Sequence, residues 1–224
     1  QAWEGSGHVV HELVTEQTAG PYNEQDQALS FRVLQVSGSP VWFRPDGAPA
    51  LLANGTLTFA LMPAVYGTSV FDVTLHGSGG RERNGVDTSI VRKLTLEVQF
   101  VNHPPAFRVP RLTQVLQNSE GPLRFPRFAR DITPGDAEEG WQQLSFEITL
   151  LGGADDLFTG PPTLSAQGQL EFSPAIDKYG AANYSVVLLD DGGTQRGGRN
   201  ASAPRLFTLE VLFVNQAPSF ALVA

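Results

Sequence analysis

The sequence predicts an all-β protein made of two tandem β-sandwich domains. The chain has 224 residues, of which 41% are hydrophobic and 17% charged, so two domains of ordinary size can each bury a core. Its 23 glycines and 16 prolines separate short runs rich in Val, Leu, Phe and Thr, which is typical of strands joined by turns. The chain also matches itself at a spacing of 113 to 115 residues, which indicates a duplicated unit.

The duplication is clearest in the last strand of each repeat. Leu94-Thr-Leu-Glu-Val-Gln-Phe-Val-Asn102 matches Phe207-Thr-Leu-Glu-Val-Leu-Phe-Val-Asn215, and both segments alternate apolar and polar residues like a strand with one buried face. The matched segments keep their order along the chain, which indicates duplication instead of shared composition. The other matches include Leu29-Ser-Phe31 with Leu144-Ser-Phe146, Leu57-Thr-Phe59 with Leu170-Glu-Phe172, and Gly79-Gly80 with Gly192-Gly193.

Each repeat divides into short predicted strands. In the second repeat, Tyr184, Val186 and Leu188 point to the inner face of their strand and Asn183 points outward. No segment has helical periodicity, and the acidic stretch 136–139 is long enough for one turn only. The predicted strands are 8–14, 28–36, 41–44, 56–60, 69–76 and 91–101 in the first repeat, and 105–116, 122–128, 142–151, 156–159, 168–173, 183–190 and 204–214 in the second.

The first repeat has one predicted strand fewer than the second. We assign residues 1–102 to the first domain, 103–214 to the second, and 215–224 to a C-terminal tail. The strand without a counterpart in the first domain is 105–116, the first strand of the second domain. The sequence therefore predicts a first sandwich that lacks its N-terminal strand.

The tail repeats the beginning of that strand. Asn215-Gln-Ala-Pro218-Ser-Phe220 matches Asn102-His-Pro-Pro105-Ala-Phe107. Pro218 and Pro105 suit the start or the edge of a strand, where no backbone N–H is needed. Two explanations remain open: the tail is a strand donated to another copy of the chain, or it is the stub of a third repeat in a longer protein.

A donated strand would complete the first domain. Removal of an edge strand from a sandwich uncovers apolar side chains and leaves backbone N–H and C=O groups unpaired. Strand addition by the tail of a second copy restores both, and because the contact is heterologous it produces a fibre instead of a closed dimer. The predicted donor residues are Pro218, Phe220, Leu222 and Val223, and the predicted acceptor residues are Val9, Val10, Leu13, Val14, Leu94, Leu96 and Val98.

The pattern Val-Asn-x-x-Pro-x-Phe after a Thr-Leu-Glu-Val strand, with an Asp-Asp-Gly-Gly loop upstream at 190–193, resembles the tandem Ig-like and cadherin-like repeats of large extracellular surface proteins. The resemblance covers nearly the whole chain in two copies. It implies two Ig-like (cadherin-like) β-sandwiches, an extracellular or cell-surface location, and a structural or cell-adhesion role. It also implies calcium at the junctions, where cadherins carry Asp-x-Asn-Asp. The matching residues here, Phe100-Val-Asn102-His103 and Phe213-Val-Asn215-Gln216, include no carboxylate.

Charge and composition argue against several classes of function. The net charge of −8 disfavours nucleic acid and anionic membrane surfaces as partners, because both attract basic patches. No run of about 18 apolar residues is present, so no membrane insertion is expected. The chain has no cysteine and none of the sequence motifs of serine hydrolases, zinc proteases or phosphate-binding loops. We therefore predict a protein that is not an enzyme.

Asp190 and Asp191 are the candidates for a metal site. Calcium prefers oxygen ligands supplied by loops, and these aspartates precede two glycines in a predicted turn. The first repeat has His76-Gly-Ser78 at this position, so the feature is not shared by the two copies. A solvated turn is the preferred interpretation, and we expect no resident cofactor.

Surface features suggest an alternative function and a modification. Trp3, Trp42 and Trp141 offer rings that could stack on sugars, so the alternative is a fragment of a long multi-repeat adhesin or surface rod that binds a glycan or protein ligand. Isolated tryptophans in sandwiches more often pack, and these three are not at equivalent positions. The sequons at Asn54, Asn183 and Asn200 predict covalent N-glycans and a secretory route.

Overall fold

The computed structural model describes residues 2–154 and 156–221, except for the side chain of Trp3. The chain divides into two compact units, Gln1–Val101 and Asn102–Ala224, which we call unit 1 and unit 2. Every helix among the described residues is a 3-10 helix of three residues. The prediction of an all-β fold with tandem sandwiches is confirmed.

Unit 1 contains a four-stranded and a three-stranded sheet. The four-stranded sheet has the order β1-β7-β6-β3, and the three-stranded sheet has the order β2-β5-β4. The strands are β1 (Ala2–Trp3), β2 (His8–Glu12), β3 (Leu29–Ser37), β4 (Ala50–Leu51), β5 (Thr56–Ala60), β6 (Gly67–Gly77) and β7 (Arg92–Gln99), and the 3-10 helices are Tyr22–Glu24, Pro40–Trp42 and Glu82–Asn84.

Unit 2 repeats this arrangement and adds a third, two-stranded sheet. The larger sheets have the orders β12-β15-β16-β9 and β10-β14-β13, and β11 pairs with β8. The strands are β8 (Ala106–Arg108), β9 (Leu112–Leu116), β10 (Leu123–Phe125), β11 (Arg130–Thr133), β12 (Ser145–Gly153), β13 (Thr163–Leu164), β14 (Leu170–Phe172), β15 (Gly180–Leu189) and β16 (Arg205–Leu212), and the 3-10 helices are Ala137–Glu139 and Gln195–Gly197.

Each unit has its own apolar core, built by the alternation that the sequence shows. In β15, Tyr184, Val186 and Leu188 are buried, whereas Asn183 is exposed. Phe71 of β6 is the counterpart of Tyr184 and is equally buried in the core of unit 1. Full burial of one such side chain stabilises a fold by about 1.5 to 3 kcal/mol, so these alternating strands supply much of the stability of each unit.

Some predicted elements differ from the structure. Residues 41–44 do not form a strand: Pro40–Trp42 is a 3-10 helix, and Phe43 makes a single bridge to Leu61. In 156–159, Phe158 makes only an isolated bridge to Pro174. The two-residue strands β4 and β13 are too short to leave a periodic signal in the sequence. The acidic stretch 136–139 does contain a single turn, as predicted.

Unit 1 has a first strand of two residues, β1. The prediction that unit 1 lacks this strand is therefore wrong. In unit 1, β1 pairs in parallel with β7, with Ala2 opposite Val98. In unit 2, β9 pairs in parallel with β16, with Val115 opposite Val211. Thus β1 is the counterpart of the last two residues of β9. Residues 2–101 contain no counterpart of β8 or of the beginning of β9.

None of the helical segments that the structure describes has the length and apolar character needed to cross a membrane.

Candidate functional site

In unit 2, the segment that leads into the first sheet fills a gap beside the core. Phe107 in β8 is only 2% exposed, and its ring centroid lies 5.1 Å from that of Phe146 in an edge-to-face arrangement. The backbone of β8 pairs with β11, with Arg108 opposite Arg130. Pro105 is buried directly before this strand. One short segment therefore supplies both an aromatic anchor and a strand partner.

In unit 1, the same place is an open groove of about 820 Å³. The counterpart of Phe146 is Phe31, which lines this groove. The counterpart of β11 is 15–18, which is exposed and lies in no strand. Leu13 is 39% exposed, whereas its counterpart in unit 2, Phe128, is 5% exposed. The apolar residues of the lining are Leu13, Val14, Phe31, Leu51, Val73, Leu75, Ile90 and Leu94.

The groove includes some of the predicted acceptor residues and leaves out others. Leu13, Val14 and Leu94 line it. Val9, Val10, Leu96 and Val98 do not: Val9 packs against the core, Leu96 and Val98 are buried within it, and Val10 is exposed. Val98 is also already paired with Ala2 of β1. Val9 and Val10 lie on opposite faces of β2, whereas Leu94, Leu96 and Val98 share one face of β7, of which only Leu94 reaches the groove.

Five apolar groove residues were missed by the sequence argument: Phe31, Leu51, Val73, Leu75 and Ile90. A usable signal was present for Phe31, because Leu29-Ser-Phe31 matches Leu144-Ser-Phe146. Since Phe146 contacts Phe107 in unit 2, the same contact position in unit 1 follows from the repeat once that contact is known. Leu51 and Val73 come from two other strands, and only the folded sheet arrangement brings them to the groove.

The tail carries Phe220, the sequence counterpart of Phe107, and this side chain is exposed. Residues 213–221 lie in no strand, and Pro218 and Phe220 are exposed, Phe220 to 88%. The other two predicted donor residues, Leu222 and Val223, lie outside the described residues. An aromatic side chain with this exposure keeps a large apolar surface in water, which favours its burial in a complementary site.

A buried polar cluster in unit 2 surrounds Asn102, which is 4% exposed. Its side-chain Nδ2 donates to Asp190 Oδ1 and to the backbone oxygen of Arg199, both at 2.8 Å. Its Oδ1 accepts a hydrogen bond from Gln142 Nε2 at 2.6 Å. Each polar group of the Asn102 amide is therefore paired. Buried amides need such partners, because an unpaired one costs about 1 to 3 kcal/mol.

Glu139 extends this cluster and is 1% exposed. Its Oε1 accepts from the backbone N–H of His103 at 3.1 Å and lies 2.8 Å from His103 Nδ1. Its Oε2 accepts from Gln142 Nε2 at 3.0 Å. We call Asn102, His103, Glu139, Gln142 and Asp190 the Asn102 cluster. It attaches residues 102 and 103 to the 3-10 turn that ends at Glu139.

The cadherin resemblance implies calcium, which takes six to eight oxygen ligands. In the Asn102 cluster, Asn102 and His103 supply one amide oxygen and one imidazole, and the Glu139 carboxylate and one oxygen of Asp190 already accept hydrogen bonds from the cluster. Asp190 Oδ1 already accepts from Asn102 and from the backbone N–H of Gly192 at 2.9 Å. Asp191 Oδ1 accepts from the backbone N–H of Gln143 at 2.9 Å. These aspartates act as acceptors that organise the loop, so we derive no function from a metal there.

The predicted tryptophans and sequon asparagines differ in their exposure and in their neighbours. Trp42 packs against the core of unit 1, and Trp141 in unit 2 is 60% exposed. The sequon residues Asn54 and Asn183 are exposed, and Asn200 is half-buried. Asn183 Oδ1 accepts from the Thr208 hydroxyl at 2.7 Å. The side chain of Trp3 lies outside the described part of the structure, and the two described tryptophan side chains, Trp42 and Trp141, belong to different units, so neither unit joins them into one sugar-binding platform.

Solved structures with a similar fold are tandem cadherin repeats. The chain is similar to human protocadherin-24 EC1-2 in crystal form II, with 15% sequence identity, a TM-score of 0.50, and coverage of 84% of this chain and 83% of that chain. It is also similar to another structure of human protocadherin-24 EC1-2, with 13% identity, a TM-score of 0.48, and coverage of 85% and 84%. No family model matches the sequence, and no curated protein matches it. The chain thus has the fold of tandem cadherin-like β-sandwich repeats, as the sequence predicted.

Proposed function

We propose that this chain is an extracellular structural or adhesive protein that joins head to tail with copies of itself. In this proposal, the tail of one copy enters the groove of unit 1 in the next copy. The observation that carries it is the pair of matched positions: Phe107 fills the gap beside Phe146 in unit 2, and the same gap beside Phe31 is open in unit 1. Phe220 is the exposed counterpart of Phe107.

The docking has two physical contributions. Burial of a phenylalanine ring between Leu13, Phe31 and Leu94 removes apolar surface from water, at about 25 cal/mol per Å². The backbone of residues 218–221 can pair with 15–18, as β8 pairs with β11 in unit 2. Strand addition gives affinity through the main chain and specificity through the side-chain pocket. Since donor and acceptor are different surfaces, each copy can bind one neighbour on each side, which produces a filament.

The surface sequons support the same extracellular setting. Asn54 and Asn183 are exposed on unit 1 and unit 2, where a glycosylating enzyme can reach them. Covalent glycans on these faces would hinder unspecific pairing of sheets and leave the groove as the preferred contact. For this reason the proposal includes N-glycosylation. It includes no enzymatic activity.

Deletion of residues 216–224 tests the proposal. We expect the full chain to form oligomers in sedimentation velocity and filaments in electron micrographs, and the shortened chain to be monomeric. Phe220→Ala should weaken association at least tenfold, because the anchor is lost. Ser219→Ala is the matched control, since Ala106 is exposed at the corresponding place in unit 2. Assembly that survives the deletion, or a full chain that stays monomeric at high concentration, contradicts the proposal. The second result would favour a groove filled by a segment N-terminal to unit 1 in the same protein.

A further inference from the structure

The 3-10 turn that carries Glu139 and Gln142 in unit 2 has a close counterpart in unit 1. Glu24 and Gln27 occupy the matching positions, and the backbone N–H of Gln27 donates to the oxygen of Glu24 at 3.0 Å, as that of Gln142 does to Glu139. Each glutamate also lies over a matching glycine. A Cβ atom placed on Gly20 would come within 2.4 Å of the Glu24 carboxylate. The two turns therefore carry the same pair of side chains at matching positions.

The loop that faces this turn is repeated as well. In unit 2, Asp191 accepts from the backbone of Gln143, and in unit 1 the hydroxyl of Ser78 accepts from the backbone of Ala28 at 3.0 Å. The backbone N–H of Gly79 donates to Gln27 Oε1 at 3.1 Å. Further along this loop, Arg81 and Thr88 bond to the carboxylate of Asp87 and lower its pKa. The loop is thus held in place without any contribution from a segment like 102–103.

The two clusters differ in what fills them. In unit 2, the Glu139 carboxylate receives two hydrogen bonds from His103 and one from Gln142. In unit 1, the Glu24 carboxylate and Gln27 Nε2 have no hydrogen-bond partner among the residues that the structure describes, and both side chains are half-buried. The half-buried carboxylate of Glu24 can accept hydrogen bonds, and the free Nε2 of Gln27 can donate one to an acceptor.

We propose that Glu24, Gln27 and the backbone oxygen of Val86 form a receptor for an asparagine, and that its ligand is Asn215 from a second copy of the chain. This proposal rests on the head-to-tail function above and names the polar contact that sets its register. Asn215 is exposed and follows Val214 as Asn102 follows Val101. Asn215 precedes Phe220 by five residues, and Asn102 precedes Phe107 by the same five. One segment can therefore place its asparagine at Gln27 and its phenylalanine in the groove.

The contacts in unit 2 indicate what each group does. Asn215 Oδ1 accepts from Gln27 Nε2, as Asn102 Oδ1 accepts from Gln142. The backbone N–H of Gln216 donates to Glu24, as that of His103 donates to Glu139. Asn215 Nδ2 donates to the backbone oxygen of Val86, the counterpart of the Arg199 oxygen. Gly77 stands where unit 2 has Asp190, so one hydrogen bond of the Asn102 cluster has no equivalent in unit 1.

This chemistry favours asparagine over aspartate. An aspartate at 215 has no N–H donor for the carbonyl oxygen, and it would bring a second negative charge close to Glu24. Like charges at short range in a partly dehydrated site oppose binding. The asparagine site therefore adds register and selectivity to a groove that, by itself, accepts any apolar side chain of suitable size.

The test measures self-association of the full chain by sedimentation velocity. Asn215→Ala should weaken it about tenfold or more, because several hydrogen bonds are lost together, and Asn215→Asp should weaken it further. Ser219→Ala is again the control and should leave association unchanged. Combination of Asn215→Ala with Gln27→Ala should add little to either change alone, because both remove the same contact. Thermal unfolding checks that Gln27→Ala leaves the fold of unit 1 intact.

The outcomes separate this proposal from the one on which it rests. If deletion of 216–224 abolishes association but Asn215→Ala does not weaken it, strand donation stands and the asparagine receptor is refuted. Fully additive effects of Asn215→Ala and Gln27→Ala refute it as well. If the deletion itself has no effect, head-to-tail donation fails and the asparagine receptor falls with it.

Discussion

Units 1 and 2 share one sandwich plan and differ mainly in how the space around their first strand is filled. In unit 2, residues 102–116 supply Asn102 to a polar cluster, Phe107 to the core edge, and two strands to the sheets. In unit 1, the corresponding apolar groove and polar turn are both open. Two gaps of different chemistry thus correspond to a single segment, and the docking that we propose rests on this correspondence.

The largest effect is expected when Phe107, which fills the site in unit 2, is replaced. Phe107→Ala should destabilise unit 2 by about 3 to 5 kcal/mol, because the ring is buried and its loss leaves a cavity next to Phe146. Phe220→Ala should leave the free energy of unfolding of an isolated copy unchanged, because Phe220 is exposed. Hydrogen exchange read out by mass spectrometry distinguishes the two units. Similar losses for both variants would contradict the assignment of Phe107 and Phe220 as filled and unfilled counterparts.

Removal of the buried amide should have the next largest effect. Asn102→Ala leaves Asp190 and Gln142 without their shared partner inside unit 2, and we expect a loss of about 2 to 4 kcal/mol in the free energy of unfolding. Gln27→Ala, at the open counterpart in unit 1, should cost less than about 1 kcal/mol in a monomeric sample. Chemical denaturation at low protein concentration gives both values. An equal cost at the two positions would show that the clusters do not differ in occupancy.

Gly192 in unit 2 and its counterpart Gly79 in unit 1 test the same difference, because a methyl group added at either glycine contacts the polar cluster. A Cβ atom on Gly192 would lie 2.0 Å from Asn102 Oδ1 and 2.3 Å from Gln142 Nε2, and both side chains are buried. Gly192→Ala should therefore destabilise unit 2 by about 1 to 3 kcal/mol. A Cβ atom on Gly79 meets the end of Gln27, which is half-buried and can move, so Gly79→Ala should cost less. Thermal unfolding of the two variants measures the difference, and a larger loss for Gly79→Ala would contradict it.

The smallest effect concerns pH. Burial raises the pKa of the Tyr184 phenol above its usual value of about 10. Above that pH the unfolded chain loses this proton while the folded chain keeps it, so unit 2 loses stability as the pH rises toward the folded pKa. The full contribution is present below about pH 10. Unit 1 has Phe71 at this position, which does not titrate. Tyr184→Phe should therefore reduce the alkaline loss of stability, measured as the slope of the unfolding free energy above pH 10, and an unchanged slope would exclude this cause.

The sequence predicted the architecture well because its signals are local or repeated. Alternation in 94–98 and 207–211 identified strands with a buried face, and the spacing of 113 to 115 residues identified two copies of one fold. The repeat also identified the tail as a counterpart of 102–107. It could not show that Ala2 already occupies the end of the first strand, because a two-residue strand has no periodicity.

The candidate sites were predicted less completely, because their residues come together only through tertiary contacts. Asn102 is separated by 40 residues from Gln142 and by 88 from Asp190, and no local pattern connects them. Asp190 and Asp191 were weak metal candidates in the sequence, where a turn was the preferred interpretation, and in the structure both carboxylates accept backbone or amide hydrogens. Leu51 and Val73 joined the groove for a similar reason, since which face of a sheet borders a gap depends on its neighbours.

The sequence by itself determined that this chain has two tandem sandwiches and that its tail repeats the segment that starts the second one. These conclusions follow from periodicity and duplication, which need no knowledge of distances. Only the tertiary structure decided that unit 1 has an open groove beside Phe31 and a polar turn in which the Glu24 carboxylate and Gln27 Nε2 have no partner among the described residues. Such gaps are properties of the space between strands distant in sequence, and that space is defined only when the sheets have packed.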